Sequence, residues 1–89
     1  MADENLPDDL IELKLAFWAA DKVCADIADR AVPSDPDLAA KQSAELHMAR
    51  TKRAEIVGKL YRHKWWTQQP NRYAADQQIN AAAKAREAT

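Results

Sequence analysis

The sequence predicts an all-α fold: a long antiparallel helical hairpin plus a shorter C-terminal helix, assembling as a helical bundle. Three observations carry that expectation. Gly occurs once and Pro four times, at Pro7, Pro33, Pro36 and Pro70, so helix breakers are confined to a few points. Nineteen of the 89 residues are Ala, the strongest helix former. Larger apolar residues recur every three or four positions, and no stretch shows a strand pattern or a repeat. Residues 1–89 therefore read as a single helical domain.

The first helix is expected over about 7–31. Pro7 suits the first turn, where its missing N–H costs nothing, and Asn5 is the candidate cap. Asp8, Asp9 and Glu12 complement the positive end of the helix dipole. Leu6, Leu10, Leu13, Phe17, Ala20, Cys24, Ile27 and Ala31 form an unbroken heptad seam, with Ile11, Leu15 and Trp18 as a second apolar edge. So wide a stripe on so small a chain predicts a homo-oligomer. A dimer is favoured, forming a four-helix bundle through Leu10, Leu13, Phe17, Cys24 and Ile27.

Val32–Asp37 is a turn-like connector, short enough to make the first two helices antiparallel neighbours. Asp35-Pro36 reads as the N-cap and first residue of helix 2, expected over about 36–66. Its seam is weaker: Ala39, Gln42, Leu46, Ala49, Arg53, Ile56, Leu60 and His63, with Arg53 a polar interruption that sets register. Gly58 costs about 1 kcal/mol against Ala in mid-helix. A close helix approach near Ile11 would explain it, in a pairing that also sets Asp21 near Arg50 or Lys52 and Asp8, Asp9 and Glu12 near Lys59 or Arg62.

Thr67-Gln68-Gln69-Pro70-Asn71 ends that helix, because the residue before Pro avoids the α region. Asn71 caps helix 3, expected over about 72–87. Tyr73 and Ile79 are its only large apolar side chains, so it is expected to dock loosely or to fray.

Formal net charge is −1 and the isoelectric point is near 6.1, which gives no gross basic excess. A single Cys excludes an internal disulfide framework, and no run of 18 apolar residues exists to span a membrane. Met1-Ala2-Asp3-Glu4 lacks the basic-then-apolar form of a signal peptide, so the expected setting is cytoplasmic. Charge is unevenly spread: residues 1–45 carry a net −7 and residues 46–89 a net +6. The simplest account is neutralisation between neighbouring helices.

Two surfaces are candidates for function. Trp, Tyr and Arg anchor interfaces, which makes Tyr61, Arg62, Trp65 and Trp66 the candidate site for an unknown protein partner. In a continuous helix Tyr61 and Trp65 stack along one face and Trp66 points about 100° away. The competing account places these rings in the core, closing the open end of the hairpin. Trp18 is a third ring, set for a cation–π pair with Arg50 or Arg53. The alternative surface is a nucleic-acid or phosphate site using Arg50, Lys52, Arg53, Lys59, Arg62, Lys64 and Arg72, with aromatic rings for base stacking. Those seven residues do not share one helical face.

Catalysis finds little support. The sequence has neither a Gly-rich phosphate loop nor a Cys pair at metal-ligand spacing, so no catalytic, cofactor or metal residues are assigned. Cys24 falls roughly opposite His47, but its place in the apolar seam fits packing better than nucleophilic chemistry. The expectation is a non-enzymatic interaction module: an adaptor, regulator or inhibitor.

Leu6-Pro7-Asp8-Asp9-Leu10-Ile11 and Asn71-Arg72-Tyr73 together resemble a group of small actinobacterial helical proteins. These share an LPDDLI-type start and an NRY-type opening of the third helix. The resemblance rests on about nine residues at the two ends. It implies two helices before a final one and an actinobacterial or phage setting, and no function.

Overall fold

A computed structural model of the chain describes residues 6–88. Three α-helices follow in order: α1 (Asp8–Asp29), α2 (Pro36–Tyr61) and α3 (Arg72–Glu87), with a 3₁₀ helix at Lys64–Gln68 before α3. The fold is all-α. The hairpin of α1 and α2 is antiparallel, and α1 also packs against α3. The radius of gyration is 16.6 Å, against about 12 Å for a compact chain of this length. The molecule is elongated, with extents of 55 × 27 × 19 Å.

α1 starts without a side-chain cap, and Pro7 holds the N-cap position. Asn5, the expected cap, lies outside the described residues. The helix ends at Asp29 rather than near 31, because Arg30 adopts extended backbone. The Gln42 amide donates to the carbonyls of Ile27 and Arg30, both at 3.4 Å. This explains a polar residue in the α2 seam: it bonds carbonyls at the end of α1, where the Arg30 N–H also donates to the Ile27 oxygen at 3.2 Å.

α2 is capped as expected, Asp35 Oδ1 accepting from the Asp37 N–H at 2.8 Å. It stops at Tyr61, five residues short of the expected end. The reason lies in Trp65 and Trp66, since a continuous helix could not bury both rings against one neighbour. Instead the chain turns at His63 and re-coils as the 3₁₀ helix. His63 Nδ1 accepts from the Trp65 N–H at 3.1 Å. The neutral ring's proton then sits on Nε2, which donates to Asp9 Oδ2 at 3.0 Å. The Trp66 indole N–H donates to the Leu60 carbonyl at 2.7 Å, taking up one of the last carbonyls of α2.

α3 begins on Asn71, whose Oδ1 accepts from the Ala74 N–H at 3.1 Å. It is docked through Ala75, Ile79 and Ala83, all buried, while Tyr73 stays exposed. Small residues let its backbone approach α1 closely. Arg86 near its end pairs with Asp8 at 2.8 Å.

The main core gathers Leu6, Leu10, Ile11, Leu60, Trp65, Trp66 and the α3 residues, with Leu13, Leu15, Phe17 and Trp18 packed against it. It occupies the end of the hairpin where α3 lies. Towards the connector only Cys24 and Ile27 are buried, and they lie outside that cluster. The protein is thus a three-helix head with a two-helix arm.

The register differs from the sequence expectation. Asp21 pairs with Arg53 at 2.7 Å, and Arg30 with Glu45 at 3.2 Å. The interruption at Arg53 is therefore an interhelical ion pair. Gly58 is not at a close helix approach either. A Cβ there would meet the guanidinium of Arg62 at 3.0 Å, so the missing side chain lets Arg62 fold back along α2.

Candidate interaction surface

Trp65 and Trp66 are 8% and 5% exposed, so the structure places both rings in the core and corrects their assignment as partner anchors. Their rings meet edge to face at 5.1 Å, and Trp66 lies 5.3 Å from Tyr61 at a tilt. Tyr61 contacts Trp66 rather than Trp65 because the helix has ended between them. Tyr61 and Arg62 remain exposed at the surface.

The residues expected to form an oligomer seam also pack within the chain. Leu10, Cys24 and Ile27 are buried within one copy of the chain, and Leu13 and Phe17 are half-buried in the core. A heptad stripe needs a facing helix, and here α2 of the same chain supplies it.

Of the seven cations, Arg62 and Lys64 line one depression beside Pro7 and Gln68. Arg53 is paired with Asp21, and Arg72 lies over the Trp66 ring at 5.7 Å. The Trp65 and Trp66 rings that would stack on bases are in the core. Trp18 packs against the core, and among the described residues no cation–π contact joins it to Arg50 or Arg53. Cys24 is buried while His47 is exposed, and no described hydrogen bond joins them. Among the described residues no group of three or more His, Cys, Asp or Glu could hold a metal ion, and no helix is long and apolar enough to cross a membrane.

The sequence does not reveal a polar cluster built around a buried lysine. Lys14 is only 4% exposed. Its ammonium lies 3.4 Å from Asp76 Oδ1 and over the rings of Phe17 and Tyr61, at 5.7 and 5.9 Å. The Tyr61 hydroxyl and the Asn80 amide also reach Asp76, both at 3.5 Å. The available signal was position: Lys14 falls among Ile11, Leu15 and Trp18, on the second apolar edge of α1. This cluster ties all three helices together.

An uncovered apolar groove of about 310 Å³ runs along the hairpin. Ala16, Ala19, Ala20 and Val23 of α1 line one side, and Ala49, Lys52 and Ile56 of α2 the other. A neighbouring depression adds His47, Met48, Thr51 and Glu55. Val23 is 49% exposed and Met48 71%. The sequence hid this face because Ala dominates it, and Ala reads as helix former rather than as contact surface.

No curated protein and no solved structure matches the chain. A family model described as a domain of unknown function, DUF8825, matches residues 9–82, from the first turn of α1 to the last turns of α3. That span takes in the arm, the aromatic turn and the docked third helix, and the chain belongs to the DUF8825 family.

Proposed function

We propose that this chain is a non-enzymatic helical interaction module that works through the uncovered face of its hairpin. The observation that carries this is the apolar groove between Val23 and Ile56, which no element of the chain covers among the described residues. A two-helix layer has one face too many, and burying it against another helix is the usual resolution. The partner surface is therefore centred on Ala19, Ala20, Val23, Met48, Ala49 and Ile56. Tyr61, Arg62, Trp65 and Trp66 instead hold the head together or lie beside it.

The test is site-specific photocrosslinking in the native host. A photoreactive residue at Val23 or Met48 should yield discrete protein adducts. The same residue at Gln78, exposed on α3, should not. Adducts from Gln78 alone, or from no position, would overturn the assignment of this face.

A further inference from the structure

We infer that the occupant of the groove is a second copy of this chain, related by a two-fold axis that runs along the hairpin. The inference rests on the interaction-face reading above and goes on to name the partner and its orientation.

α1 carries a second heptad stripe besides the seam facing α2. Glu12, Ala16, Ala19, Val23 and Asp26 are spaced 4, 3, 4, 3. The three central residues line the groove. On α2, Ala49, Lys52, Ile56 and Lys59 run at 3, 4, 3 along the opposite side. The groove is thus edged by acids at both ends of its α1 side and by lysines on its α2 side. Arg30 and Glu45 pair with each other near the connector. Glu12 and Lys59 are both exposed, and neither has an ion-pair partner among the described residues.

Two symmetric ways of stacking the faces exist, and charge separates them. A two-fold axis across the hairpin lays α1 antiparallel on its own copy. Centred on Ala19, this sets Glu12 against the partner's Asp26, a like-charge contact at both ends. A two-fold axis along the hairpin lays α1 over the partner's α2. Within one chain Asp9 faces His63 and Asp21 faces Arg53, which fixes the levels of the two helices. At that register Glu12 meets the partner's Lys59, and symmetry makes the contact twice. Val23 then seats beside the partner's Ala49, and Ala16 and Ala19 beside its Ile56 and Lys52. Ala on α1 lets the helices approach closely enough for Val23 and Ile56 to act as knobs. The product is a four-helix bundle along the arm with a head at each side of the same end.

Light scattering on the full chain at micromolar concentration should give twice the 10.0 kDa chain mass. Glu12→Lys and Lys59→Glu should each weaken the dimer by about tenfold or more, since each creates two like-charge contacts. The double variant should recover to within about threefold of the original. Both positions are exposed, so circular dichroism should show unchanged helicity in all three. A wild-type chain that stays monomeric at about 100 μM, well above typical dimer dissociation constants, overturns the inference. So does a double variant no stronger than the singles. Crosslinks from Val23 to a different protein, with a monomeric wild type, would remove the second copy and leave the interaction face standing. Absence of any crosslink from both Val23 and Met48 would remove both.

Discussion

The Lys14 ammonium lies 3.4 Å from the Asp76 carboxylate, joining α1 to α3 at a point where the lysine is almost wholly buried. Removing the acid strands a buried cation, whereas removing the cation leaves a half-exposed acid that water can solvate. The two truncations are therefore unequal. Asp76→Ala should destabilise by about 1–3 kcal/mol, and Lys14→Met should stay within about 1 kcal/mol of the parent. Urea unfolding followed by circular dichroism measures both. Equal losses would mean that the pair contributes only through packing.

The turn after α2 depends on Trp66 as a donor as well as a ring. Trp66→Phe retains much of the apolar area but leaves the Leu60 carbonyl without its indole partner, at a cost of about 1–3 kcal/mol. Trp66→Ala adds a cavity in the head and should cost about 3–5 kcal/mol, enough to unfold much of a chain this small. His63→Ala removes only the cap of the 3₁₀ helix and the contact to Asp9, worth about 1 kcal/mol. The predicted order is Trp66→Ala, then Trp66→Phe, then His63→Ala. A His63→Ala chain less stable than Trp66→Ala would mean that the turn, not the ring, organises the head.

Gly58→Ala should stabilise the protein. The added Cβ meets the guanidinium end of Arg62, a flexible group with solvent beside it. The helix gains about 0.5–1 kcal/mol from replacing Gly at an interior position. A raised urea midpoint with an unchanged slope is the expected result. A lowered midpoint would show that Arg62 is needed where it lies.

Much of this architecture is legible in the sequence. Ala39, Gln42, Leu46, Ala49, Arg53, Ile56, Leu60 and His63, read from spacing alone, are all buried or half-buried, and only Val57 and Gly58 join them between Pro36 and His63. Asp35 and Asn71 cap as their positions require. Three things were not legible, each for a physical reason. The heptad stripe of α1 requires a facing helix but does not say whose, so an intrachain seam and an oligomer seam look alike. The end of α2 carries neither Gly nor Pro between Leu60 and Thr67, so local preference runs straight through a turn that the burial of two rings imposes. Lys14 is buried by a partner 62 residues away, beyond what local spacing can specify.

The head and the arm should differ in local stability, and hydrogen exchange reads that difference directly. The head buries Leu10, Leu60, Trp65, Trp66 and Ile79 in one cluster, whereas the arm buries only Cys24 and Ile27 among large side chains. Each large apolar group removed from water contributes about 1.5–3 kcal/mol, so the arm has far less to oppose local opening. At concentrations where the chain is monomeric, amides of Val23–Asp29 and Ala40–Ala49 should exchange well before those of Leu10–Phe17 and Ile56–Leu60. Above the dimer dissociation constant the arm amides should gain the most protection, while α3 amides, which lie outside the proposed interface, should change little. The gain should be lost in Glu12→Lys and return with Lys59→Glu added. Uniform protection along the hairpin at low concentration would contradict the two-part description of the fold, because it would require the arm to hold itself closed on two buried side chains.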